Sequence, residues 1–262
     1  MVDQTANLSA VAMPQDDIRL NPRDSRTWWQ QVLAGKGDWI PCRTQAPDHV
    51  ISLTGVSAKK FHSDAAAHVQ AVMAVTAYYG FDLPTYAEDI YNLEAEALGQ
   101  RLIYGDAMPT IDFREPFIAT RDDLSKLKAP ENWLERGRVR YYLDVVRLMA
   151  EAGVKSAQFS APFSLAVGLR TYPKLIRDMR RDPAFAHALF TCLVDEILPS
   201  YLLAAHKYTG VDNWSGWDAW AAYPNLTPDL LEEWVVPYAV RLANNIKALG
   251  FVGMPIAGGD YC

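Results

Sequence analysis

From Asp38 onward the chain alternates short apolar runs with longer helical patterns, and this alternation limits its fold more than any other feature. Asp38–Arg43 (DWIPCR), Phe81–Ala87, Lys155–Ser160 (KSAQFS), Val211–Trp217 and Phe251–Ala257 read as strands. Between them, Ser57 is expected to cap a long helix with Ala, Val and Met at helical spacing from Ala65 to Tyr79. Further helices are expected over Arg138–Ala152, Leu165–Met179 and Pro183–Tyr208, and from Thr227-Pro228 to Leu249. Strands separated by so much chain are parallel and covered by helices. Two pieces fall outside the alternation. Arg101–Tyr104 and Thr110–Arg114 flank Gly105-Asp106 as a small hairpin, and Asp122–Lys128 is a short helix stopped by Pro130. Residues 1–22, polar and aperiodic with Pro14 and Pro22, are expected to form a flexible arm, and 23–262 a single domain that opens with a helix over Ser25–Leu33.

With 262 residues, half of them hydrophobic, the chain can bury a sizeable core, and no linker divides it. A net charge of -6 and the lack of a basic run argue against a nucleic-acid or anionic-membrane partner. The N-terminus has no charged segment followed by an apolar one, and the apolar stretch Leu189–Ala205 is interrupted by Asp195, Glu196 and Pro199. Three widely separated cysteines fit a reducing compartment, so the cytoplasm is the expected location. The motifs GxGxxG, P-loop, HExxH and GxSxG are missing, and the five histidines show no metal-ligand spacing.

Acid concentrates in Tyr79–Gly99 (YGFDLPTYAEDIYNLEAEALG), where Glu88 and Asp89 arrive as an apolar run ends. The C-terminal ends of parallel strands are where α/β enzymes keep their chemistry, which makes Asp89 a candidate. Glu94 and Glu96 lie two apart, so on a helix at most one of them faces a pocket. Asp218, between Trp217 and Trp220, reads either as a pocket acceptor or as a buried aspartate satisfied by backbone N–H groups. Trp214, Trp217, Trp220 and Tyr223 read either as a wall for a flat ligand or as packing.

Four segments, in order, resemble the uroporphyrinogen decarboxylase superfamily, which includes zinc- and corrinoid-linked methyltransferases. AEDIYNLEAEALG resembles its SDI…EA.ALG segment, SAPFSL (Ser160–Leu165) its G.P.TL turn, WDAWA (Trp217–Ala221) its D.WA, and TPDLLEEWVVPY (Thr227–Tyr238) its SP..F.EF..PY helix. The resemblance implies a (β/α)8 TIM-type barrel. With about five strand–helix units legible, the barrel is expected to be incomplete and the chain truncated at its C-terminal side.

Measured against the decarboxylase, Asp89 matches the substrate-contacting aspartate and Arg43 lies near the first arginine of the substrate loop. The second arginine falls on Pro47 or Asp48, and the assisting tyrosine on or near Gly168. The methyltransferase branch carries His-x-Cys after its fifth strand and a later Cys, which bind zinc; here the same place reads Asp260-Tyr261-Cys262. Residues two apart on an extended segment point the same way, so Asp260 and Cys262 can share one ion.

The leading expectation is metal-assisted methyl or alkyl transfer between a corrinoid or small methylated substrate and a thiol-type acceptor. In that reading Asp89 and Asp218 are catalytic, Arg43, Glu94, Trp217 and Trp220 bind substrate, and zinc sits on Asp260 and Cys262. Decarboxylation of a tetrapyrrole or smaller acid, and non-catalytic ligand binding, are the alternatives. The expected partners are a small-molecule substrate and a corrinoid protein, and association into an oligomer of identical chains is left open.

Overall fold

The computed structural model describes residues 34–36, 42, 44–84 and 89–257. The expected arm (1–22), the helix over Ser25–Leu33, most of the first strand, Arg43, Asp260 and Cys262 lie outside the described residues.

The elements begin with helices α1 (Pro47–Thr54), α2 (Ala58–Phe61), α3 (Ala65–Tyr79) and α4 (Leu93–Leu98). The expected hairpin is a two-residue antiparallel ribbon, β1 (Leu102–Ile103) with β2 (Thr110–Ile111). Short 3-10 turns at Asp122–Lys126 and Trp133–Glu135 lead into α5 (Val139–Glu151), β3 (Ala157–Ser160), α6 (Pro162–Arg170), α7 (Tyr172–Arg181) and α8 (Pro183–Cys192). The chain continues through α9 (Leu198–Thr209), β4 (Asn213–Asp218), α10 (Pro228–Trp234), α11 (Val236–Ala248) and β5 (Val252–Ala257).

β3, β4 and β5 form a parallel sheet in that order, with Ser160 paired to Trp217 and Asp218 to Ala257. Side chains alternate across a strand, and the glycines show which face is which. A Cβ on Gly253 would meet Ile246 Cγ2 of α11 at 2.9 Å, and one on Gly216 would meet the Phe159 ring at 2.6 Å. Ala157, Phe159, Trp214, Gly216, Asp218 and Gly253 therefore face the helices. Gln158, Ser160, Ser215 and Trp217 line the opposite, inner face.

Trp214 is fully buried, with its ring 6.3 Å from that of Tyr201 on α9 and its Nε1–H donated to Val211 O. This main core spans the sheet and α4 to α11. A second cluster packs Val50, Phe61, Val72 and Val75 against Val145 and Met149 of α5.

Several expected boundaries move for local reasons. Ser57 caps the short α2, accepting from Lys60 N, while Asp64 caps the long α3, accepting from Ala67 N. The helix expected over Leu165–Met179 starts earlier and breaks at Thr171, whose φ of 71° lies in the left-handed region just before Tyr172-Pro173. Pro183–Thr209 passes through a π turn at Leu193–Ile197, just before Pro199, which has no N–H to donate to the preceding turn. By length and composition this helix resembles a membrane span, but its buried residues lie within the main core and Arg241 pairs with Asp195 on it. The last long helix breaks at Val235, before Pro237.

Of the strand expected over Phe81–Ala87, residues 81–84 form no strand and 85–88 lie outside the described residues. Phe81 N instead closes the α3 terminus on Thr76 O, and Asp82 exchanges hydrogen bonds with Cys42 through its N–H and its carboxylate. Among the described residues, three of the five expected parallel strands are present.

Candidate active site at the strand ends

The polar groups that meet near the C-terminal end of β3 come from three distant parts of the chain. Asp89 is buried, and Arg138 Nη2 at the entry to α5 donates to its Oδ2 at 2.6 Å. Arg138 Nε donates to Glu96 Oε2 at 2.9 Å, and the Tyr104 hydroxyl donates to Glu96 Oε1. Asn92 Nδ2 donates both to Asp89 Oδ1 and to Pro109 O, tying the acidic stretch to the hairpin. Gly137 precedes Arg138 with φ +47°, and a Cβ there would meet Glu96 Cγ at 2.9 Å, so glycine serves both the turn and the close approach. Burial pushes the Asp89 carboxyl up to about 6, against the downward pull of Arg138. Burial opposes the charge on Arg138, but Asp89 and Glu96 hold the guanidinium firmly protonated.

Glu94 and Glu96 diverge on α4, as a two-residue spacing requires. Glu94 turns to the sheet, where its Oε1 accepts from Ser160 N at 3.1 Å, and Tyr142 OH accepts from Gln158 N and donates to Gln158 O. Side chains thus satisfy the β3 edge that faces away from β4, which explains why a glutamate can be buried there. Burial pushes the Glu94 carboxyl up to about 8.

Asp218 sits on the helix-facing side of β4. Its Oδ1 accepts from Ser164 N at 2.6 Å and from Ser164 Oγ at 2.7 Å, while Oδ2 accepts from Phe163 N at 3.1 Å. It thus caps α6 from a distance, serving first-turn N–H groups that lack helical partners. Burial raises its carboxyl to about 7 despite these donors. Asp218→Ala strands these three buried donors and is expected to cost about 2–4 kcal/mol. Asp218→Asn should cost less, and denaturant midpoints of the two variants measure the difference.

Residues 35–257 match the family profile of uroporphyrinogen decarboxylase (URO-D). The chain belongs to the URO-D family. Uroporphyrinogen decarboxylase from Myxococcus xanthus (strain DK1622) is 31% identical over 200 residues, which cover 72% of this chain and 53% of that protein. The chain thus spans about half the length of the curated relative it matches. A methyltransferase from Methanosarcina mazei shares the fold at a TM-score of 0.69 and 17% identity, over 90% of this chain and 69% of that one. Membership in the URO-D family carries the TIM-barrel fold. Of that barrel the described residues show three adjacent parallel strands and their helices, without closure of the ring.

In this URO-D family member, Asp89 and Glu94 lie together near the end of β3, and Trp217 is beside Ser160 on the inner face, half-buried. Trp220 stacks on Tyr172 at 5.4 Å, and its backbone N–H donates to Ser164 Oγ. The expected aromatic wall therefore divides, with Trp214 in the core and Tyr223 exposed. Asp218, expected among the catalytic groups, is committed to α6 because its strand position turns it away from the inner face. Arg43, Asp260 and Cys262 have no described place.

Sequence reasoning missed Arg138, Asn92, Tyr104, Gln158 and Ser160. Only Ser160 carried a usable signal, its position at a strand's C-terminal end. Among the described residues no three His, Cys, Asp or Glu side chains are placed to hold a metal ion. His68 is buried and neutral, its Nδ1 bonded to Tyr141 OH at 2.8 Å, with its pKa lowered by burial to about 3.

Proposed function

We propose that this URO-D family chain forms the substrate side of an enzyme transferring a methyl or other alkyl group between a small methylated substrate or corrinoid and a thiol-type acceptor. One observation carries the reading: near the strand ends, among the described residues, acid outweighs base. Asp89 and Glu96 share a single guanidinium, Arg138, which already spends Nη2 and Nε on them, while Glu94 lies buried beside Asp89 with its carboxyl turned to the sheet. A tetrapyrrole bearing many carboxylates needs several fixed cations, whereas a neutral or cationic substrate does not. In this reading Asp89 and Arg138 orient the donor, and Trp217 provides an apolar wall on the inner face. Zinc on Asp260 and Cys262, a corrinoid protein partner and a cytoplasmic location belong to the same proposal. When bound, zinc would supply Lewis acidity that keeps a thiol acceptor deprotonated. Among the described residues no three side chains are placed to hold that ion.

Decarboxylation of a smaller acid is the second reading. It is favoured by the name of the Myxococcus xanthus relative and by Arg138 Nη1, which is buried without a hydrogen-bond partner among the described residues and can take one carboxylate.

Elemental analysis of full-length protein purified without chelator separates the two readings. Transfer chemistry predicts about one zinc per chain, lowered by Cys262→Ala. Metal content near zero with activity intact moves the assignment to decarboxylation. For Asp89→Asn, kcat/KM is expected to fall by roughly 10²–10⁴. The same variant loosens the buried Arg138 pair, so its folded fraction has to be measured alongside by circular dichroism. A variant that is folded and fully active would remove Asp89 from the site.

A further inference from the structure

Three buried polar groups at the end of β3 have an atom with no partner among the described residues: Glu94 Oε2, Ser160 Oγ and Gln158 Nε2. Glu94 is 1%, Ser160 0% and Gln158 5% exposed, so all three are desolvated in the fold. Ser160 and Gln158 lie two apart on β3 and share the inner face, and Glu94 is bonded to the Ser160 backbone. Unsatisfied buried polar atoms are rare enough that three in one place need a reason.

We propose that Glu94, Ser160 and Gln158 form a hydrogen-bond donor set on the inner wall that takes one neutral carbonyl-type oxygen of the substrate, as in a carboxamide, ketone or ester. The inference rests on the reading that substrate occupies the inner face at the strand ends.

The division of labour within the Glu94 carboxyl supports it. Oε1 already accepts from Ser160 N, which leaves Oε2 to carry a proton and donate it. Gln158 Nε2 is a donor by its chemistry, and the Ser160 hydroxyl can turn to donate. The charged and titratable groups around Glu94 are Asp89 and Glu96 on its own segment, Arg138 at the entry to α5, Tyr142 on α5, and Tyr201 from α9. β3 contributes no ionisable side chain, and Arg170 of α6 is engaged by Asp178. Among these groups Arg138 is the one cation, and its Nη2 and Nε are engaged by Asp89 and Glu96, so two carboxylates to one guanidinium leave the surroundings negative. That disfavours a carboxylate and leaves a neutral acceptor. Above about pH 8 Glu94 ionises, and the donor becomes a repelling anion.

The test titrates the purified protein with acetamide and, separately, acetate, following ligand NMR line widths and the ¹³C shift of the Glu94 carboxyl. Saturable acetamide binding at pH 6.5 is expected, weakened about five- to tenfold by Ser160→Ala. Wild type should lose this binding at pH 9, whereas Glu94→Gln, which keeps a neutral donor, should retain it. No saturable acetamide binding, acetate binding in preference to acetamide, or the same pH response in Glu94→Gln as in wild type would each overturn the proposal. If the proposal holds, zinc analysis can still reject the transfer reading without affecting the donor set. If only the donor set fails, the zinc result stands.

Discussion

Replacing Arg138 by alanine is expected to destabilise the protein by about 3–5 kcal/mol at pH 8, because it leaves the Asp89 carboxylate buried without its cation. Arg138 bridges Asp89 and Glu96 through separate nitrogens, a geometry that a lysine ammonium cannot reproduce, so Arg138→Lys should fall between alanine and wild type. The cost should shrink toward pH 5, where Asp89, its folded pKa raised to about 6, can stay neutral without help. Adding Asp89→Asn to Arg138→Ala should recover part of the loss, since the second change removes the stranded charge. Denaturant midpoints across the four-member cycle measure all of this. A loss below about 1 kcal/mol for Arg138→Ala would place the pair among ion pairs of marginal worth.

The second large effect is a pH dependence traced to Glu94. Its folded pKa is raised to about 8 from the ordinary 4.5 of a glutamate, so between these values the folded state holds a proton that the unfolded state has released. Stability therefore falls as pH rises through this window, with the whole penalty present above about pH 8. A shift of this size corresponds to several kcal/mol, at about 1.4 kcal/mol per unit. Glu94→Gln keeps an acceptor for Ser160 N and cannot ionise. Against wild type it should be nearly neutral at pH 5 and more stable by several kcal/mol at pH 9, read from thermal or urea unfolding at both values. Parallel curves at the two pH values would mean that Glu94 is ionised in the fold and finds a partner for Oε2.

The repeated pattern of apolar run and amphipathic helix was enough to place β3, β4 and β5 within about two residues and to make them parallel, because both signals arise within a few neighbouring residues. The hairpin, the Asp182-Pro183 helix entry and the family resemblance were legible for the same reason. So was the divergence of Glu94 from Glu96, which follows from helix geometry alone. Breaks inside the long helices were harder to see, since Pro173, Pro199 and Pro237 each act on a turn whose cost depends on what the helix packs against.

The partners of the acidic residues were decided only by the tertiary structure. Nothing local marks Arg138, one of 25 lysines and arginines, as the cation that holds both Asp89 and Glu96. Asp218 looked equally suited to a pocket or a cap until the register of β4 turned it toward α6, where first-turn N–H groups needed an acceptor. Glu94 became a buried acid because the edge of β3 required one at Ser160 N. A carboxylate's charge is written in the sequence, but its task depends on which unsatisfied donors or cations the fold brings within 3 Å or so, and that proximity is set by long-range packing.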